Sequence, residues 1–259
     1  MIPGISTACF YPMHTETALG MLARLQPRGV EFFINSACEL EPGFLKEMRR
    51  IVDDAGIRVL SVHPYTSGME PMYFFSGYDR RFSEGMEVYQ RYFQAANLLG
   101  ADIVVFHGGM RSSKMSYNEY FRRFNRLWEM GACHGVELCH ENVARCIGYC
   151  SGFFTAMAEA LPQVCYVLDT KQAVRAGEDV YEFAKAMGKR LRHVHISDHR
   201  PGQDCLVPGR GVLNIPVFLS TIKKNGFDGG VIVELYRENF DTIVEINEGY
   251  QHICTSIST

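Results

Sequence analysis

Six side chains able to bind a metal ion or move a proton stand at the ends of six successive apolar runs. IRVLSVH closes on His63, ADIVVFH on His107, GVELCHE on Glu141, QVCYVLD on Asp169, RHVH on His195 and GGVIVE on Glu234. A charge beside a core run is expensive unless it is paired, so each carboxylate needs a partner. Taken singly, each histidine is more simply a satisfied structural donor; their common position in successive units is what argues for one site. Three carboxylates and several imidazoles brought together repel unless protonated or neutralised, and a divalent cation supplies the opposite charge while accepting several ligands. Glu141, Asp169, His195 and Glu234 make an oxygen-rich set with one nitrogen. It suits one manganese, magnesium, cobalt or zinc ion better than a soft-metal cage does. His63 and His107 either complete a second metal site through Glu141 or hydrogen-bond the substrate beside a single ion.

What can bring these ends together is an alternation of elements along the whole chain. Strands are expected at PGISTACF, VEFFIN, IRVLSVH, ADIVVFH, GVELCHE, QVCYVLD, LRHVHIS and GVIVELY. A helix follows each: one with Ala18, Leu22 and Leu25 on one face, one from Pro42 through Leu45, Met48 and Val52, and a third ending at Leu99 after a long loop from Pro64 to Tyr78. The others are expected over Tyr117–Met130, Tyr149–Leu161, Asp179–Met187, the PVFLSTIKKNG segment and Asp241–Cys254. The strands are short continuous apolar runs, as parallel strands buried on both faces require. Eight such units, with no linker rich in Pro, Gly or Ser, predict a single α/β domain over residues 1–259, a (β/α)8 TIM barrel. A doubly wound dinucleotide fold lacks its G-x-G-x-x-G after the first strand. In a barrel the C-terminal strand ends meet at one face, so the six side chains share one mouth.

Composition sets the outer limits. With 47% hydrophobic and 21% charged residues, the 259-residue chain is of ordinary globular type, and a formal net charge of −3 offers no basic field for a nucleic-acid backbone. No apolar run is long enough to span a membrane and no signal peptide is apparent, so a cytoplasmic location is expected. Among nine cysteines, Cys133, Cys139, Cys146 and Cys150 crowd one region without paired CxxC spacing; reduced, buried cysteines are expected rather than a structural zinc.

The ordered set SVHPY, VVFHGG, ELCHEN, YVLDTKQA, RHVHISD, LVPGRG and GFDGGVIVEL resembles the xylose isomerase-like TIM barrels. That group includes sugar isomerases, ketose 3-epimerases, hydroxypyruvate isomerase, inosose dehydratase and nucleases of the endonuclease IV type. The resemblance implies that Glu141, Asp169, His195 and Glu234 are metal ligands, with Glu141 and Glu234 as the acid–base pair. It also implies a supporting role for Glu31. In the nuclease branch His63 and His107 would hold further metal, but the DxxH expected on the sixth strand is here Asp169, Thr170, Lys171, Gln172, which argues against the third metal.

The function expected is isomerisation or epimerisation of a small ketose or related α-hydroxy carbonyl, by proton transfer through a metal-stabilised enediolate. The alternatives are an inosose-type keto-sugar dehydratase, an endonuclease IV-like phosphodiesterase and a non-catalytic sugar-binding protein. Asn142 is expected to orient Glu141, touch substrate or cap a turn, and Asp198 to touch substrate, support the site or cap its loop. Lys171 either neutralises a substrate charge or is a solvated helix-start lysine. Arg200 and Arg210, in the glycine-containing loop before the last strand, either receive a phosphate or carboxylate on the substrate or are surface arginines. The loop with Tyr65, Met69, Met72, Tyr73, Phe74 and Phe75 is expected to form a lid, to contact a second subunit in a homo-dimer or tetramer, or to pack on its own rim.

Overall fold

A computed structural model describes residues 1–258, and in it the eight expected barrel strands form and close. They are β1 (Ile2–Ser6), β2 (Gly29–Phe33), β3 (Arg58–His63), β4 (Ile103–Phe106), β5 (Glu137–Glu141), β6 (Cys165–Asp169), β7 (Leu191–Ile196) and, after a hairpin, β10 (Gly230–Val233). The ring runs β1-β10-β7-β6-β5-β4-β3-β2 and returns to β1, all neighbours parallel. The hairpin, β8 (Asp198–Arg200) with β9 (Gln203–Leu206), is antiparallel and stands above the barrel mouth between β7 and β10.

Helices cover the outside: α1 (Thr15–Leu25), α2 (Pro42–Asp54), α3 (Glu70–Phe74), α4 (Asp79–Leu99), α5 (Tyr117–Cys133), α6 (Ser151–Ala160), α7 (Thr170–Ala176), α8 (Val180–Met187), α9 (Ile215–Lys224) and α10 (Ile243–Ser258). The expected one-to-one alternation therefore needs two corrections. The β6–β7 connection carries α7 before α8, because Asp169 itself caps a helix, its Oδ1 accepting from the Gln172 N–H at 3.1 Å. The long third loop contains a 3-10 turn and α3. Its Tyr73, Phe74 and Phe75 are buried on the barrel's own flank, Phe75 stacked on Tyr120 with centroids 4.0 Å apart, while Tyr65, Met69, Met72 and Tyr78 remain exposed.

Period-two alternation decides what enters the barrel. On β4, Val104 and Phe106 join the main core against the helices, whereas Ile103 and Val105 join Cys139, Cys165 and Val167 in a separate cluster. Two residues on from Cys139 and Val167, on the same face, stand Glu141 and Asp169. The barrel interior is thus apolar below and polar at its C-terminal mouth. All nine cysteines are free thiols; Cys139 and Cys146 are buried as expected, while Cys38 and Cys133 are exposed. Among the described residues no helix is long and apolar enough to cross a membrane.

Neighbouring positions on β5 show how sharply the two faces differ. His140 points outward into the rings of Phe106, Phe124 and Phe153, with centroids 5.2 to 5.5 Å away. Its Nδ1–H donates to the Glu141 carbonyl at 3.0 Å, so Nε2 accepts from the Tyr120 hydroxyl at 2.7 Å. Burial pushes this imidazole down to about 3. The stability of the neutral ring is fully present above pH 6.5 and is lost as pH falls from there toward 3. Unfolding curves of wild type and His140→Gln should therefore converge on acidification, by about 1.4 kcal/mol per pH unit below pH 6. A constant difference from pH 7 to 4 would contradict the assignment.

Candidate active site

The strand ends deliver the six expected side chains to one place. Glu141, Asp169, His195 and Glu234 each offer one atom to a group lying within 4.8 Å, and His63, His107 and Glu141 form a second such group. Glu141 belongs to both. Its Oε1 lies 2.9 Å from His195 Nδ1, and its Oε2 lies 2.8 Å from His107 Nε2 and 4.0 Å from His63 Nε2. Yet Glu141 Oε2 is buried and accepts no hydrogen bond. A buried carboxylate oxygen left in that state, facing two imidazole nitrogens 3.0 Å apart, suits a divalent cation better than a closed hydrogen-bond network. The donor types agree: carboxylate oxygens and imidazole nitrogens suit a divalent first-row ion or magnesium.

Charge inside the site follows from the same crowding. Burial would raise Glu141, but His107 and His195 outweigh it and hold the carboxyl well below its usual range. Burial likewise opposes the charged form of His195, and Glu31, Glu234 and Glu141 overcome it, lifting the imidazole well above its ordinary value. Asp169 is pushed up to about 6 by burial, with Glu141 and Glu234 adding to the rise and Lys171 opposing it. His63 is pushed down to about 4 by burial and by the neighbouring His107.

Three residues outside the six organise the centre. Glu31, completely buried on β2, receives His195 Nε2 at 2.8 Å, Ser61 Oγ at 2.8 Å and Ser6 Oγ at 3.0 Å. That bond occupies the back nitrogen of His195 and leaves Nδ1 turned toward Glu141 and Glu234. A carboxylate behind a ligating imidazole fixes ring orientation and basicity in this way. His193 was not among the expected site residues; its Nε2 is 3.0 Å from Ser61 Oγ and 3.3 Å from Glu31 Oε2. Its position two residues before His195 is a period-two signal that placed both on the inner face. Glu70, on α3, accepts from the backbone N–H of His107 at 2.8 Å and of Gly108 at 2.5 Å, and the Tyr89 hydroxyl donates to it. Gly108 sits at φ +93°, where a Cβ would come within 2.1 Å of the Tyr120 hydroxyl, so only glycine fits.

The remaining expected residues separate clearly. Asn142 clamps Asp169, donating to its carbonyl at 2.9 Å and accepting from its N–H at 2.7 Å. Lys171 is buried, with Nζ 2.6 Å from Asp169 Oδ2 and 2.7 Å from Glu234 Oε2. It is no solvated helix-start lysine. Asp198 holds its own loop, accepting from the N–H groups of His199, Gly209, Gly211 and Leu213. Arg200 bonds Gln203 and Arg210 pairs with Glu245 and Glu248 on α10, and neither lines the mouth. The amide of Gln172 accepts from the Ala144 N–H at 3.1 Å and so ties the β5 loop to α7.

Above the cluster lies a cavity of about 470 Å³ whose walls include His63, His107, Glu141, Asp169, Lys171 and Glu234. Tyr11, Phe33, Tyr65 and Tyr236 add ring surface, and Arg145 stands at the rim with Nη2 3.5 Å from His107 Nδ1. Phe33 lies on β2 and Tyr65 on the loop expected as a lid; sequence reasoning gave no signal for Tyr11, Arg145 and Tyr236, because no strand period reaches them.

A closed parallel barrel with carboxylates and imidazoles gathered at its C-terminal mouth defines a TIM barrel carrying a candidate metal centre. The chain belongs to the xylose isomerase-like TIM barrel family, whose model matches residues 22–255. It is 27% identical over 262 residues to an uncharacterized protein of Mycobacterium leprae, covering 90% of this chain and 88% of that one. It is 25% identical over 198 residues to an inosose dehydratase of Mesomycoplasma hyopneumoniae, covering 62% of this chain and 66% of that one. Among solved structures, a D-tagatose 3-epimerase-like protein superposes with a TM-score of 0.84 at 18% identity, over 100% of this chain and 97% of the other.

Proposed function

We propose that the protein is a divalent-metal-dependent isomerase or epimerase of a small ketose or related α-hydroxy ketone. The observation that carries this reading is the convergence of Glu141, Asp169, His195 and Glu234 beneath a single cavity. Its volume of about 470 Å³ is of the size small molecules use, about 300–1,000 Å³. Glu141, Asp169, His195 and Glu234 would hold one manganese, magnesium, cobalt or zinc ion, with His63 and His107 available to a second ion through Glu141. A bound divalent ion supplies positive charge that polarises a carbonyl and lowers the cost of an enediolate.

The protein's own groups do the rest. Glu141 and Glu234 are both kept ionised, by His107 and His195 in one case and by Lys171 and His195 in the other. Each is therefore able to take a proton from the carbon beside the carbonyl, and the pair can return it to the neighbouring carbon or to the opposite face. Asn142 fixes Asp169, and Glu31 fixes His195, so little rearrangement accompanies that transfer. The rings of Phe33 and Tyr65 limit water at the cavity wall. Dehydration of a keto sugar is the second reading, favoured by the likeness to the inosose dehydratase, because the same proton abstraction followed by loss of a β-hydroxyl gives it.

The test combines elemental analysis of untagged protein with a screen of ketoses in D2O. Near one divalent ion per chain, with deuterium entering recovered sugar beside the carbonyl, is the result expected. Loss of water from a keto inositol would select the dehydratase. A metal-loaded protein that exchanges and dehydrates nothing across both sets would overturn the enzymatic reading.

A further inference from the structure

The position of Lys171 carries a consequence of its own, one that rests on reading Glu141, Asp169, His195 and Glu234 as a metal site. Lysine near a helix start ordinarily runs its stem along the surface and leaves the ammonium in water. Here the side chain is 3% exposed, and Nζ bridges Asp169 Oδ2 at 2.6 Å and Glu234 Oε2 at 2.7 Å. Burying an ammonium is costly, and only two carboxylates held close make it tolerable. Asp169 in particular has little freedom to turn away. Asp169 Oδ1 is occupied by the Gln172 N–H, and both its backbone polar groups are clamped by Asn142. Oδ2 is the oxygen it has left, and Lys171 has it.

We propose that Lys171 is a resident counter-cation that competes with the divalent ion for Asp169 and Glu234. Without an ion, the ammonium keeps the acidic cluster assembled against the repulsion of its own carboxylates. When an ion takes the same oxygens, the ammonium and the ion repel each other across a few ångströms, and the flexible stem withdraws. The Tyr236 ring, its centroid 5.5 Å from Nζ, already gives the ammonium a cation–π contact that it shares with the Arg175 guanidinium at 4.9 Å, and Arg175 Nη1 holds the ring at 2.6 Å from its hydroxyl. The site is therefore built to release and regain its ion without unfolding, at the expense of affinity.

Wild type, Lys171→Met and Lys171→Gln are compared after chelator treatment, by calorimetric titration with Mn2+ and by thermal unfolding with and without Mn2+. Lys171→Met is expected to bind Mn2+ at least tenfold more tightly than wild type. Its metal-free form should melt lower, and its gain in melting temperature on adding Mn2+ should be larger. Lys171→Gln, whose amide still donates to the carboxylates, keeps the comparison available if the methionine variant does not fold without metal. Affinity equal to or weaker than wild type in both variants would overturn the competition while leaving the metal site standing. Folded wild type and variants that all bind no Mn2+ would remove the metal reading and this inference with it.

Discussion

Glu234→Gln is expected to abolish turnover while the barrel stays folded. The carboxylate stands just beyond β10, its side chain 13% exposed, with Oε2 on Lys171 and 3.6 Å from His195 Nδ1. Glutamine keeps the shape and can still accept from Lys171, and it relieves like-charge crowding with Glu141 and Asp169. Because Lys171 keeps Asp169 but loses one of its two counter-charges, stability should fall by about 1–3 kcal/mol while the barrel stays folded. What is lost is a group able to take a proton, at a cost of about 10²- to 10⁴-fold for general-base catalysis alone. Deuterium wash-in to the confirmed substrate, read beside thermal unfolding, checks both halves. Full exchange in the variant would remove Glu234 from the acid–base pair and leave it a structural anion.

Removing Glu31 should cost both stability and metal binding, from a residue that no substrate reaches. Burial would raise its carboxyl, but His195 and His193 hold it ionised well below its usual range. In Glu31→Ala, the hydroxyls of Ser6 and Ser61 and the back nitrogen of His195 lose their acceptor in the barrel interior, while His193 Nε2 keeps Ser61 Oγ. Each stranded buried group costs about 1–3 kcal/mol, so an unfolding free energy lower by several kcal/mol is expected. His195 would also lose the bond that aims Nδ1 at the mouth, and metal affinity should fall by about 10- to 100-fold. Glu31→Gln, which fills the same space and retains one acceptor, should separate the two effects, with a smaller stability loss but a clear loss of affinity. Urea unfolding and metal titration of both variants make the comparison. Wild-type affinity in Glu31→Gln and Glu31→Ala alike would reduce Glu31 to a filler of the barrel interior.

The histidines and carboxylates that end β3, β5 and β6, stand one residue before the end of β7 and follow β4 and β10 were legible in the sequence for a simple reason. A parallel strand buried on both faces is a continuous apolar run, and a titratable residue at its end interrupts that run visibly. Eight such runs alternating with helices close into a barrel, and closure alone brings residues as distant as His63 and Glu234 to one face. The same period-two rule already placed His193 on the inner face with His195, a signal present in RHVH and left unused. The family motifs agreed with this pattern, and they lie within residues 22–255, the span of the family match.

The tertiary structure alone decided where the side chains between the strands turn. Lys171 and Arg210 are both cations in loops or helix starts near the mouth, and nothing local distinguishes them. One is drawn inward by the paired carboxylates of Asp169 and Glu234, and the other lies outward because Glu245 and Glu248 on α10 meet it first. Asp198 likewise had the composition of a substrate contact, until four backbone N–H groups of its own loop claimed it. Gly211 belongs to that arrangement, since a Cβ there would lie 2.2 Å from Asp198 Oδ1. Strand periodicity fixes which face a residue takes, because the backbone itself alternates. The partner of a loop charge is set by long-range electrostatics and desolvation across elements far apart in sequence, and these exist only once the barrel has closed.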